Sequence, residues 1–123
     1  MAQDIKVWTV DIGNYTGSGL RPLWLLPNGY GGISVLGASL AADGAGTSVT
    51  ANLIYATNVG TPVVAGTIGS FAGTVTFAES VTAACTIATK WVDDNQWIGL
   101  EQASGTAATH TWLTVNYVEG RGA

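Results

Sequence analysis

The sequence predicts an all-β domain, an antiparallel two-sheet sandwich or barrel. Apolar residues recur at every second position, the period of a half-buried strand, and not at the third and fourth positions that mark a helix. Turn signals made of Gly, Asn, Asp and Pro punctuate the chain at roughly 8–12-residue intervals, as in sandwiches and barrels. The composition agrees, because 17 glycines and a wealth of Thr, Val and Ala supply strands and tight turns.

The elements follow in order. Asp4–Ile12 alternates Ile5 and Val7 against Lys6, Trp8 and Val10, and residues 13–19 form a Gly-rich turn. Leu23-Trp24-Leu25-Leu26 is a short apolar run stopped by Pro27-Asn28-Gly29. Ile33–Ala41 is the next strand, and residues 42–46 turn into Thr47–Thr57, where Val49, Ala51, Leu53 and Tyr55 share a face. Val63–Ile68, Gly73–Ala78 and Ala83–Val92 follow, the last alternating Cys85, Ile87, Thr89 and Trp91 against Ala84, Thr86, Ala88 and Lys90. The acidic turn Asp93-Asp94-Asn95 leads to Gln96–Ala103, with Ile98 and Leu100 inward. The closing strand, Thr109–Glu119, points Thr111, Leu113, Val115 and Tyr117 inward and His110, Trp112, Thr114 and Asn116 outward. This makes eight or nine short strands. The irregular stretch before Ile33 divides an N-terminal arm with its Gly-rich connection (1–32) from a β-sandwich body (33–123).

Charge sets the functional classes. Only 10% of the 123 residues are charged, against about 25% in an ordinary domain. With one His, one Cys and eight acidic residues, the chain is poor in groups that titrate, chelate or attack; a non-enzymatic role without cofactor or metal is expected. Lys6, Arg21, Lys90 and Arg121 are scattered and the net charge is −4, which disfavours nucleic acid as a partner. No apolar run approaches the roughly 18–20 residues of a membrane helix, and the first residues lack the pattern of a signal peptide. A product made in the cytoplasm is expected. Cys85, flanked by Ala84 and Thr86, reads as a small buried hydrophobe.

The C-terminal third carries a further pattern. Lys90-Trp91-Val92 is followed by Asp93-Asp94-Asn95-Gln96-Trp97-Ile98-Gly99-Leu100-Glu101, and the closing strand reads Leu113-Thr114-Val115-Asn116-Tyr117-Val118-Glu119-Gly120. Over roughly Ala83–Arg121 this resembles small virion proteins of tailed bacteriophages, especially the jelly-roll head-decoration proteins. The resemblance implies a jelly-roll sandwich, a homo-oligomer (a trimer) on the outer capsid surface with the major capsid protein as partner, and no catalytic residues. The arm would lie on the shell.

Five tryptophans are many for this length. An outward Trp buries a large area at low entropy cost and anchors an interface. Trp8, Trp24, Leu25 and Leu26 are the expected shell or intersubunit contacts, and Trp97 and Trp112 the expected trimer packing; Trp91 belongs to the core. Gly99, between Trp97 and Glu101, leaves a groove for a neighbouring chain. An outward Trp with Asn, Asp or Gln beside it also suits a saccharide, so the alternative is a carbohydrate- or receptor-binding module of a tail fibre or adhesin.

Other candidates read as structural. His110 has no acid, base or nucleophile near it in sequence, and a hydrolase would need the fold to bring one. Asp93-Asp94-Asn95 offers too few oxygens for a hard cation unless Asp43 or another loop acid joins it, and Asp11-Ile12-Gly13-Asn14 is no richer. The stretches 17–19 and 29–32 lack the Gly-Lys-Ser/Thr of a phosphate loop.

Overall fold

The computed structural model describes residues 4–12, 19–26, 31–42, 47–57, 60–71, 75–77, 82–88, 91–105 and 110–120. The turns expected at 13–18, 27–30 and 43–46, with Asp43, lie outside the described residues. The strands are β1 (Lys6–Asp11), β2 (Gly19–Leu25), β3 (Ile33–Ala42), β4 (Thr47–Thr57), β5 (Val63–Phe71), β6 (Val75–Phe77), β7 (Thr82–Ile87), β8 (Trp91–Val92), β9 (Trp97–Gly105) and β10 (Thr111–Glu119).

Sheet A runs β1-β10-β3-β7 and sheet B runs β2-β9-β4-β5, with every pair antiparallel. The pairs β1·β10, β2·β9, β3·β7 and β4·β5 are nested, so the chain is one long hairpin rolled on itself. That wiring is a jelly-roll sandwich. The two shortest strands are extensions. β6 continues beside β4 where β5 leaves it, and β8 rejoins β3.

Alternation builds the core. In β10, Thr111, Leu113, Val115 and Tyr117 are buried, which matches the inward face expected from the sequence. Directly opposite on β1 stand Val10, Trp8 and Lys6, while Val7, Thr9 and Asp11 take the outer face. β3 changes phase partway along. Ile33 and Val35 are buried, then Ala38 and Leu40, because Leu36 is an extra residue where the register with β10 slips. From sheet B, Ala51 and Leu53 of β4 and Ile98 and Leu100 of β9 close the core.

β7 joins the two sheets. Thr82–Ala84 pairs with β3, Cys85–Ile87 pairs with β5, and the Ala88 amide donates to the Ile68 carbonyl at 2.8 Å before β8 returns to β3. The strand expected over Ala83–Val92 is therefore split, since it changes partners midway. Gly69 permits the close approach: a Cβ there would lie 2.3 Å from the Thr86 carbonyl oxygen and 2.7 Å from the Cys85 sulfur.

The division at residue 32 needs correction. Residues 6–11 and 19–25, expected in an arm, are edge strands of the two sheets. Pro22 made β2 hard to see, because proline removes a ladder donor. The edge position tolerates it, and the register with β9 slips between Pro22 and Trp24.

Candidate functional site

On the side opposite β7, the edges of β1 and β2 meet. There Trp8 and Trp24 stack with ring centroids 4.8 Å apart and planes at 25°, and Trp24 leans on Tyr117 at 5.1 Å. Both indoles pack against the core. The Arg21 guanidinium also crosses the seam, donating from Nη1 to the Ile12 carbonyl at 3.3 Å. Trp8 and Trp24 are thus half-buried contacts between the two sheets of one subunit.

The other expected contact residues divide. Leu26 is 0% exposed and sits in the core, so no neighbouring chain reaches it. Its backbone is fixed as well, its amide donating to the Gln96 carbonyl and its carbonyl accepting from the Asn95 amide. Leu25 and Trp97 face each other across β2 and β9, both half-buried, on the outer side of sheet B. The indole N–H of Trp97 is buried and has no hydrogen-bond partner among the described residues. The groove expected at Gly99 is filled from within, because a Cβ there would lie 2.2 Å from the Arg21 carbonyl oxygen of β2.

Trp112 does face outward, half-buried, and the fold gives it company. Asp11 of β1 and Ala41 of β3 flank it across the ladders. The His110 ring stacks on it at 5.6 Å and 22°, and His110 Nδ1 lies 2.9 Å from Asp11 Oδ2. Nothing local in the chain hints at this His–Asp pair, whose members are 99 residues apart. The side chains are 47% and 44% exposed, so solvent competes for the contact and it contributes little to stability. The carboxylate fixes the imidazole's orientation over the indole. Together they form an aromatic surface with an acceptor at its rim. Further along the same face, the hydroxyls of Thr9 and Thr114 bond at 3.2 Å.

The acidic turn works as a clasp. Both oxygens of Asp94 accept backbone N–H groups, from Gly31 at 3.2 Å and Gly32 at 2.8 Å. Asp93 Oδ1 accepts from the Trp91 indole N–H at 2.9 Å, and the Asp93 amide donates to Gln96 Oε1 at 2.9 Å. Trp91, expected in the core, is half-buried and held here. The Asp94 carboxylate ties the β8–β9 turn to the segment entering β3, and the Asp93 carboxylate holds the indole of β8. Among the described residues no cluster of three or more His, Cys, Asp or Glu could hold a metal ion.

Cys85 is half-buried, packs against the core and is a free thiol. Burial pushes its pKa up to about 11, which keeps it protonated and unreactive at neutral pH. Among the described residues, the large apolar side chains left in solvent are elsewhere: Ile5 and Val7 are 66% and 62% exposed, with Leu36 and Val63 also exposed.

Comparison with known proteins gives little. No protein-family model matches the chain, and no curated protein matches it. A solved structure that resembles it is a chain of Bacillus endospore appendages, which form a novel family of disulfide-linked pili. It has a TM-score of 0.38 and 15% identity, and the alignment covers 96% of this chain and 91% of that one.

Proposed function

We propose that this chain is a non-enzymatic structural protein that works by assembly, and specifically a phage capsid decoration protein. It would bind the outer capsid surface as a homo-oligomer, with the major capsid protein as its partner, and stabilise the shell. The observation that carries this reading is the pair Ile5 and Val7, apolar and largely exposed, one just before and one within the edge strand β1. Soluble monomers blunt such edges with charge, proline or a bulge. The chain-wide scarcity of charge points the same way, since neutral Thr, Ala and Gly surfaces desolvate at low cost. The jelly-roll wiring is compatible with the C-terminal resemblance. The mechanism is mass action: contacts made only in the assembled shell shift the equilibrium toward it.

Light scattering of the purified protein, with sedimentation on heads that lack it, tests the proposal. Self-association and saturable occupancy are expected. A clean monomer that leaves the heads bare would overturn it.

A second reading has its own support. Trp112, His110 and Asp11 place an aromatic surface beside a carboxylate, the parts a saccharide site uses for ring stacking and for a hydroxyl. A glycan array distinguishes the two readings. Saturable hits that vanish in Trp112→Ala would favour the carbohydrate-binding module.

A further inference from the structure

We infer that the free edge of β1 pairs with β1 of a second copy, in antiparallel two-fold fashion, so that the two A sheets become one. This rests on the reading of the chain as a self-assembling protein, and it names the contact.

The backbone shows which groups are available. The Ile12 amide bonds to Thr111 of the β10 strand end, and the register between β1 and β10 is unbroken from Lys6 to Asp11. Amides and carbonyls of one residue point to the same side in an antiparallel ladder, and successive residues alternate. Val10, Trp8 and Lys6 therefore bond to β10, whereas Thr9, Val7 and Ile5 turn theirs to the open edge. No other described strand pairs with β1.

The edges differ in protection. β2 carries Pro22 and a register slip. β5 slips twice against β4. Over the same span β1 has neither proline nor slip, and the amine of Lys6 is drawn to Glu119 at 3.7 Å. The straight strand is thus the one that also exposes Val7, with Ile5 exposed just before it.

A second copy fits because the strand complements itself. In a two-fold pair the faces match, so outward residues meet outward residues. Centring the axis on Val7 sets Val7 against Val7 of the second copy and Ile5 against Thr9. Lys6 then meets Trp8, and Asp4 meets Val10. No like charges stand opposite each other, and the most exposed apolar side chains of each copy are covered. The β2 edge of a second copy is a poorer partner, since Pro22 lacks a donor. This pairing makes a dimer, where the C-terminal resemblance implies a trimer.

Sedimentation of four proteins tests this. The wild type should be a dimer. Val7→Pro removes an amide that faces only the open edge, and Val7→Lys puts charge there; both should be monomers with unchanged circular dichroism and the thermal midpoint of wild type diluted until it dissociates. Val63→Lys, at an exposed apolar site elsewhere, should stay a dimer. In a Cys85→Ala background, Val7→Cys should cross-link on mild oxidation, because hydrogen-bonded antiparallel partners have Cα atoms about 5.5 Å apart, within disulfide reach. Should Val7→Pro fail to fold, Val7→Lys and the cross-link decide. Folded Val7 variants that still self-associate, absence of the cross-link, or a trimer would overturn the β1 pairing while leaving the proposed assembly role intact. A monomeric wild type that ignores phage heads would overturn both.

Discussion

Trp8 of β1 and Trp24 of β2 stack at 4.8 Å across the open side of the sandwich, where no hydrogen-bonded ladder joins the described strands of the two sheets. β7 sews the opposite side together through the backbone. The roll is thus shut by amide hydrogen bonds on one flank and by two indoles with the Arg21 guanidinium on the other. Aromatic pairs contribute about 0.5–1.5 kcal/mol beyond the area they bury. Trp24→Leu and Trp8→Leu should each destabilise the fold, and a double-mutant cycle in urea should give a coupling near 1 kcal/mol. Strict additivity would mean that the rings act independently.

The crossover at β7 is equally specific. Gly69→Ala would drive a methyl group into the Thr86 carbonyl and the Cys85 sulfur. Overpacking of this kind costs about 1–3 kcal/mol, and here the obstacle includes backbone, which yields less than a side chain. Thermal unfolding should show a lowered midpoint, and hydrogen exchange should show lost protection at the Ala88 amide. An unchanged midpoint would mean that the two strands do not approach so closely.

Asp94 provides a third case. Removing its carboxylate in Asp94→Ala leaves the Gly31 and Gly32 amides without that acceptor. Hydrogen bonds to a charged group are worth about 1.5–3 kcal/mol each at most, and partial exposure brings the expected loss to about 1–2 kcal/mol. Asp94→Asn should retain part of it through its amide oxygen. Calcium or a chelator should leave the midpoint of the wild type unmoved. A chelator-sensitive midpoint would show that the clasp holds a cation.

Cys85 links burial to pH. Its thiol ionises at about 11 in the fold against 9.0 for an ordinary cysteine. The unfolded chain therefore loses this proton first, and stability that is intact below pH 9 declines as pH rises toward 11. At pH 8 the folded thiolate fraction is lower by about a hundredfold, and a thiol reagent should react correspondingly more slowly than with denatured protein. The Cys85→Ala variant should lose this contribution to the alkaline decline. Equal reaction rates for folded and denatured protein would show that the thiol is solvated.

Most strands were legible from local pattern. The alternation of Leu113, Val115 and Tyr117 fixed the inward face of β10, and turn residues bracketed Thr47–Thr57 on both sides. Ile5 and Val7 could be separated from Trp8 and Val10 by parity alone. Such features depend on neighbours in the chain, and a period of two reports them directly. β2 was legible only from Leu23 onward, because Pro22 argues against a strand until its edge position is known. The candidate site was less legible. Which indole meets which, that Asp11 reaches His110, and that Asp94 holds Gly31 and Gly32 all depend on which strands lie side by side. Rolling one long hairpin brings its two distant arms together, and side-chain periodicity carries no record of that partner choice. The sequence by itself determined an all-β chain, almost without charge, and which face of each strand sheds water. The tertiary structure alone decided which tryptophans that interior consumed and which strand edge it left open, because both depend on contacts between segments far apart in the chain.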